Sequence, residues 1–306
     1  MSELRQACDR YLALRRALGF KLERHGRLLP ELVCYLEGAG AATVTTGLAL
    51  EWATRPAGHP QEWAVRLSIA RGFARYLQTL DDSAEVPPAD LLSRCRHRPT
   101  PYLYSEGDTA ALLAATATLR FPLGTATYRT LIGLLAVSGM RVGEAIGLDR
   151  ADVDLAAGCV TVRGGKLAAA RQLPLHESTL RALDAYLRLR DERFARPKTP
   201  AFFLSTAGTR LFYENVYKTF RGLVAEAGLR PGPGGRRPRI HDLRHTFAVK
   251  TLIGWYRAGV DVAALMPRLS SYLGHAAPAG TYWYLQATPE LLALAAERLE
   301  RVGRPS

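Results

Sequence analysis

Apolar residues recur every three or four positions through most of this chain, the spacing of a buried face on an α-helix. Over residues 4–18, Leu4, Cys8, Tyr11, Leu14 and Leu18 share one stripe, while Arg5, Arg10, Arg15 and Arg16 lie largely around the rest of the circumference. That pattern predicts a first amphipathic helix. A second stripe through Leu28, Leu32 and Leu36 stops at Gly38-Ala39-Gly40, and a third around Leu48 and Trp52 stops before Pro56. Pro60 opens a fourth, in which Trp63, Leu67, Ala70, Phe73, Leu77 and Leu80 keep helical spacing. Four helices in so short a stretch predict a small bundle.

The periodicity dissolves from Asp81 to Pro101, where Pro87-Pro88, Pro99 and Pro101 interrupt any helix and Arg94, Arg96 and Arg98 make the chain basic. A domain boundary is expected here: a helical domain over 1–93, a basic linker over 94–101 and a second domain over 102–306. Ser105 with Asp108 three residues on is a helix N-cap signature. Tyr128, Leu131, Ile132, Leu135 and Ala136 then form an apolar helical pattern that ends at Ser138-Gly139, directly before Arg141. Cys159 to Arg163 alternates in the manner of a strand, Gly164-Gly165 signals a turn, and Arg171 to Leu175 returns as its partner, with Lys166 at the start of the loop. Helical spacing resumes through Leu180, Leu183, Tyr186 and Leu187, and Phe202-Phe203-Leu204 reads as a buried extended segment. After a further helix over 214–227, a Gly/Pro-rich loop bearing Arg230, Arg236, Arg237 and Arg239 delivers the chain to His241. Beyond it, Phe247, Val249, Leu252 and Ile253 carry a helix into the core, and Leu273-Gly274-His275 closes the next segment. Thr281 is expected to cap a helix holding Tyr282, Trp283 and Tyr284. A last amphipathic helix follows Thr288-Pro289, with Leu291, Leu292, Ala295, Leu299 and Val302 on one stripe. The expected fold class is mainly α with a small antiparallel β-sheet.

A formal charge of +13 from 41 Lys and Arg against 28 Asp and Glu favours a polyanionic partner, double-stranded DNA first. A membrane partner is disfavoured by the want of a long apolar run or an apolar leader after Met1, so the chain reads as cytoplasmic. Cys8, Cys34, Cys95 and Cys159 lack Cys-x-x-Cys spacing and suggest neither a zinc site nor a disulfide framework. The arginines Arg66, Arg71 and Arg75 of the first domain have two readings, plain solvation of a helix surface or contact with DNA phosphates. Those of the linker, Arg94, Arg96 and Arg98, and of the later loop, Arg236, Arg237 and Arg239, are further phosphate-contact candidates.

The densest chemistry lies in His241-Asp242-Leu243-Arg244-His245. In a helix, residues three and four apart share a face, so His241, Arg244 and His245 can point into one cleft. A guanidinium offers a permanently charged planar fork to phosphate oxygens, and neutral imidazole exchanges protons near neutrality. Two histidines four apart also have the spacing of a helical zinc pair, but Arg244 between them opposes a dication. Glu144 stands one turn after Arg141 and can fix its orientation, although such a pair is also common on exposed helices.

Together, Ser138-Gly139-Met140-Arg141, the His241–Ala248 run, Leu273-Gly274-His275 and Tyr284 nine residues later resemble the motifs of the tyrosine recombinases, the phage-integrase family. The resemblance is motif-level from about Pro101 to Leu299, with residues 1–93 matching only as a preceding helical domain. It implies a metal-free and cofactor-free enzyme that cleaves and rejoins DNA through a 3′-phosphotyrosyl link. Tyr284 would be the nucleophile and Tyr282 a bystander. Arg141 and Arg244 would grip the non-bridging oxygens, Lys166 would protonate the leaving 5′ oxygen, His241 would help to deprotonate Tyr284, and His275 would donate to a non-bridging oxygen. The sequence departs from the family pattern at Leu167, where glycine is usual, and in the long stretch from Asp261 to Tyr272. Such enzymes act as dimers to tetramers on DNA, and the terminal helix is expected either to dock on a neighbouring protomer or to close its own domain. A type IB topoisomerase and an inactive DNA-binding regulator are the competing readings.

Overall fold

The computed structural model describes residues 2–57, 60–92, 100–163, 170–232, 235–275, 279–286 and 288–302. The chain divides into two compact units, Met1–Pro99 and Thr100–Ser306.

The first unit is built from α1 (Glu3–Ala17), α2 (Glu23–Gly38), α3 (Thr46–Thr54) and α4 (Pro60–Gln78). Short hydroxyl residues start two of them: Ser2 accepts from the Arg5 N–H at 3.2 Å, and Thr45 from the Leu48 N–H at 3.3 Å. The apolar stripes meet in a core that includes Leu29, Leu32, Leu36, Leu67 and Phe73. Two arginines read as either solvating a helix surface or contacting DNA phosphates are instead turned inward. Arg66 is buried, its guanidinium 3.9 Å from the Trp52 ring centroid and donating to the Trp52 carbonyl and to Glu31. Arg71 is buried and donates to the Pro87 and Pro88 carbonyls, at 2.6 Å each. Both sit on the face of α4 that also carries the core residues Leu67, Ala70 and Ala74, which leaves only Arg75 of the three exposed. Long basic side chains here satisfy backbone carbonyls that no helix or strand bonds.

In the second unit, α5 (Glu106–Ala115) opens with reciprocal bonds of 3.0 Å between Ser105 and Asp108. Next come α6 (Pro122–Ser138) and the short α7 (Val142–Gly147). Strands β1 (Val153–Asp154), β2 (Cys159–Val162) and β3 (Arg171–Pro174) pair antiparallel in that order, with Val160 facing Val153 on one side and Leu173 on the other. These three, all buried, put one face of the sheet into the core. Helices α8 (Glu177–Arg193) and α9 (Tyr213–Glu226) pack with α6 and with the fully buried Phe202 and Phe203 around this core. A second cluster gathers α10 (Asp242–Arg257), α11 (Val262–Leu273), the short α12 (Ala279–Tyr282), a single tight turn over Trp283–Gln286, and α13 (Pro289–Val302).

Two features near the end of the chain differ from the sequence expectation, and a third falls on one side of it. Thr281 does not cap a helix; it lies inside α12, fully buried. The long stretch after Asp261 is α11, whose Met266 and Leu269 are buried around an internal Pro267. The terminal helix, for which docking on a neighbour and closure of its own domain were both expected alternatives, packs here on its own unit. Leu291 is buried in the cluster that holds Tyr284, and Glu290 pairs with Arg257 of α10 at 2.7 Å. Lys166, Arg94, Arg96, Arg98 and Cys95 lie outside the described residues. Among those described, no helix is long and apolar enough to cross a membrane.

Candidate active site

Two helix ends make this site. At the last turn of a helix the carbonyls have no intrahelical donor, and the aligned peptide dipoles leave partial negative charge there, so a C-terminus favours cations. α6 ends into Gly139 and α11 into Gly274, both left-handed, at φ of 60° and 67°. A β-carbon at Gly139 would stand 2.5 Å from the Phe247 ring, and one at Gly274 would stand 2.7 Å from Arg171 Nη1, so a side chain at either would be strained by the left-handed backbone and would push its neighbour aside.

The carbonyls exposed by these endings hold two arginines from behind. Arg244, in the first turn of α10, donates from Nη1 to the Gly139 carbonyl at 2.9 Å and from Nη2 to the Leu273 carbonyl at 2.8 Å. Arg141, immediately before α7, donates from Nη2 to the Gly274 carbonyl at 2.9 Å. Arg244 is 2% exposed; burial and the neighbouring Arg141 lower its proton affinity, which contact with Tyr284 and Glu144 partly restores. A guanidinium starts so far above neutrality that it stays charged.

Glu144 orients Arg141 as the sequence suggested, accepting the Arg141 backbone N–H on Oε2 and Nη1 on Oε1, both at 2.9 Å. Arg171 adds a bond from Nη2 to Glu144 Oε2 at 2.8 Å. Burial pushes the Glu144 carboxyl up, but its bonds to Arg171 and Arg141 outweigh that and hold it below the usual carboxylate range.

Three histidines stand around this pair. His241 lies at the exposed mouth, where partial desolvation comes first and the charge of Arg244 second in holding it below the ordinary imidazole range. His245 meets it edge to face at 4.8 Å between centroids, and burial, followed by the charges of His241 and Arg239, pushes it down to about 3. Its Nδ1 is buried with no hydrogen-bond partner. The ring of His275 is aimed by a 2.6 Å contact between Nδ1 and the buried Thr281 hydroxyl. As for the zinc alternative, no group of three or more His, Cys, Asp and Glu side chains suited to a metal exists among the described residues.

Tyr284 packs against these histidine rings. It is 2% exposed, its ring centroid lies 5.5 Å from that of His245, and it lies nearly parallel to the His275 ring at 6.1 Å. The Arg244 guanidinium lies within electrostatic reach of the Tyr284 phenol. Tyr282, two residues earlier, is 49% exposed. The structure thus gathers Arg141, Glu144, His241, Arg244, His275 and Tyr284 at one place.

Of the loop arginines expected on DNA, Arg239 is engaged inside the protein: its backbone N–H, Nε and Nη2 all donate to the fully buried Asp242, the last at 2.7 Å. Arg237 is exposed and Arg236 half-buried. Sequence reasoning placed His245 on the cleft face with His241 and Arg244, but missed Arg171 and Thr281 as parts of the site. A glycine just after a helix, followed by a tightly packed neighbour, was the available signal for Arg171; nothing in the local pattern marked Thr281. Chemically, two guanidiniums anchored on helix-end carbonyls, with imidazoles and a phenol beside them, suit capture of a phosphate and its transfer to the phenol oxygen.

Residues 105–290 match the model of the phage integrase family. An integrase/recombinase inferred in Sinorhizobium fredii is 43% identical over 308 residues, covering 98% of each chain. The tyrosine recombinase XerC of Pelotomaculum thermopropionicum is 30% identical over 248 residues, 79% of this chain and 74% of its own. Among solved structures, the integrase of transposon Tn1549 in complex with a circular intermediate DNA superposes with a TM-score of 0.69 at 17% identity, over 96% of this chain and 99% of that one.

Proposed function

This chain belongs to the phage integrase family of tyrosine recombinases, and we propose that it cuts and rejoins DNA at defined sites with Tyr284 as the nucleophile. The observation that carries the reading is the buried Tyr284 packed beside His245 and His275 and within electrostatic reach of Arg244, with Arg141 and Arg244 both held on the carbonyl ends of α6 and α11.

A DNA phosphodiester resists attack because its charge repels the incoming oxygen, and the pentavalent transition state concentrates more charge on the non-bridging oxygens. Arg141 and Arg244 grip those oxygens. Tyr284 Oη then bonds to phosphorus as the bond to the 5′ oxygen breaks, leaving a 3′-phosphotyrosyl ester and a 5′ hydroxyl. The ester keeps the energy of the broken bond, so attack by another 5′ hydroxyl reseals the strand without a nucleotide cofactor. His241, held neutral at neutral pH, is suited to accept the phenol proton. His275 donates to a non-bridging oxygen, and Lys166 supplies the proton to the leaving 5′ oxygen. Exchange between two duplexes cuts four strands, so the acting species is a dimer to tetramer on double-stranded DNA in the cytoplasm. The domain over 1–93 would grip the duplex through exposed residues such as Arg75, with Arg237 contributing beside the pocket.

The test is covalent capture on DNA flanking the gene at its native locus, followed by nicked suicide substrates built on the mapped position. Tyr284→Phe should abolish the covalent adduct and Tyr282→Phe should retain it. Adducts that survive Tyr284→Phe, or relaxation of any plasmid with no mapped position, would overturn the assignment.

A further inference from the structure

We propose that Arg171 is a positioning residue for Arg141, acting through Glu144 so that the Arg141 guanidinium meets the scissile phosphate with its orientation fixed and its charge uncompensated. The inference rests on the reading of Arg141 as a phosphate-gripping group.

Arg171 begins β3, and its side chain is only 13% exposed. Its Nε donates to the Tyr272 carbonyl and its Nη2 to Glu144 Oε2, each at 2.8 Å. The first bond ties the sheet to the last turn of α11, whose next two carbonyls hold Arg244 and Arg141. Gly274 leaves room for this approach, since a β-carbon there would stand 2.7 Å from Nη1 and 2.9 Å from Cζ. One side chain therefore touches three elements that frame Arg141: the carboxylate in front of it, the carbonyl segment behind it and the strand beside both.

The charge count gives the arrangement a chemical purpose. Glu144 is 18% exposed and takes bonds from both arginines. Two guanidiniums and one carboxylate leave a net positive charge at the group that is 40% exposed, Arg141. Were Arg171 absent, Glu144 would turn to Arg141 alone, and the pair would approach neutrality where a phosphate must bind. A fork is required rather than a point charge, because two bonds in different directions are made at once.

The experiment uses the full chain and the cleavage position mapped by covalent capture. Suicide substrates carry at that position either the natural phosphodiester or an uncharged methylphosphonate, and single-turnover cleavage is read alongside DNA affinity. Arg171→Gln should bind DNA as the unaltered chain does and cleave the phosphodiester about 10- to 100-fold more slowly, the scale expected for a displaced catalytic group. On the methylphosphonate, which has no charge to neutralise, the loss should shrink. In an Arg141→Ala background the same change should cost nothing further, because the group it serves is gone. Arg171→Lys, keeping charge but not the fork, should fall between, and it replaces the glutamine variant in every comparison if that one lacks a cooperative thermal transition.

Losses that multiply in the double variant, or that are equal on both substrates, would show that the residue only holds the fold together. Cleavage at the unaltered rate by the folded variants would overturn the inference as well. An unaltered chain that forms no Tyr284-dependent adduct overturns the phosphoryl-transfer reading itself, a result distinct from either of these.

Discussion

Mild acid should destabilise the second unit through one imidazole, and removing that imidazole should make the unit less sensitive to acid. His245 titrates at about 3 in the folded chain against an ordinary value of 6.5. Between those values the unfolded chain binds a proton that the folded one refuses, so stability is full above the unfolded value and is lost as pH falls toward the folded one. Lowering the pH from about 7.5 to about 5 costs, from this group, at most about 2 kcal/mol. Glu144, held low by its arginines, stays ionised through this window and adds little. His25 and His241 are also lowered and act in the same sense, so the quantity to compare is the pH response of the unaltered chain minus that of His245→Gln. Urea unfolding followed by far-UV circular dichroism at both pH values gives each term. The glutamine variant should lose about 2 kcal/mol less on acidification, whatever its stability at neutral pH. Equal responses would refute the burial argument and place the ring in contact with water.

Arg71→Ala leaves the Pro87 and Pro88 carbonyls without their donor and should cost the first unit about 1–3 kcal/mol in urea unfolding, with the salt dependence of DNA binding unchanged. Arg66→Ala removes a buried guanidinium stacked on Trp52 and should cost about 2 kcal/mol in the same assay, again without moving the salt slope. Gly139→Ala places a methyl group 2.5 Å from Phe247 in a left-handed conformation that itself costs about 1–2 kcal/mol, so cleavage should collapse with the thermal midpoint. Deleting the residues after Thr288 uncovers the cluster that buries Leu291 and Tyr284 and should lower the midpoint of the isolated chain. An unchanged midpoint, with loss confined to assembly on paired sites, would instead speak for docking on a neighbour.

How much of the fold and site was legible in the sequence depended on whether the information lay in side chains or in backbone. The helical stripes, the Ser105 cap and the β2–β3 pairing could be read because periodicity and turn residues are local properties. Strand β1, two residues long, has too few positions to alternate. Arg141, Arg244 and Tyr284 were identifiable as chemistry, but what holds the two arginines was not, since their partners are carbonyls that every residue possesses. Only Gly139 and Gly274 mark where such carbonyls come free, and each reads in sequence simply as a stop. Arg66 and Arg71 misled for the same reason. Sequence shows that a guanidinium is present on α4, whereas its direction is set by which carbonyls are left over by the Pro87-Pro88 segment and by α3.

The choice of carbonyls over carboxylates as supports has an electrostatic consequence. A guanidinium held by an anion gives up most of its attraction for a second anion, while one held by neutral dipoles keeps its full charge. Arg244 takes both of its backbone supports from helix ends. Arg141 is the exception because it also touches Glu144, and there a third arginine supplies the offset. Both cations can therefore be fixed in place before a phosphate arrives and still be charged toward it, which is what preorganisation requires of a site that stabilises a transition state more than a ground state.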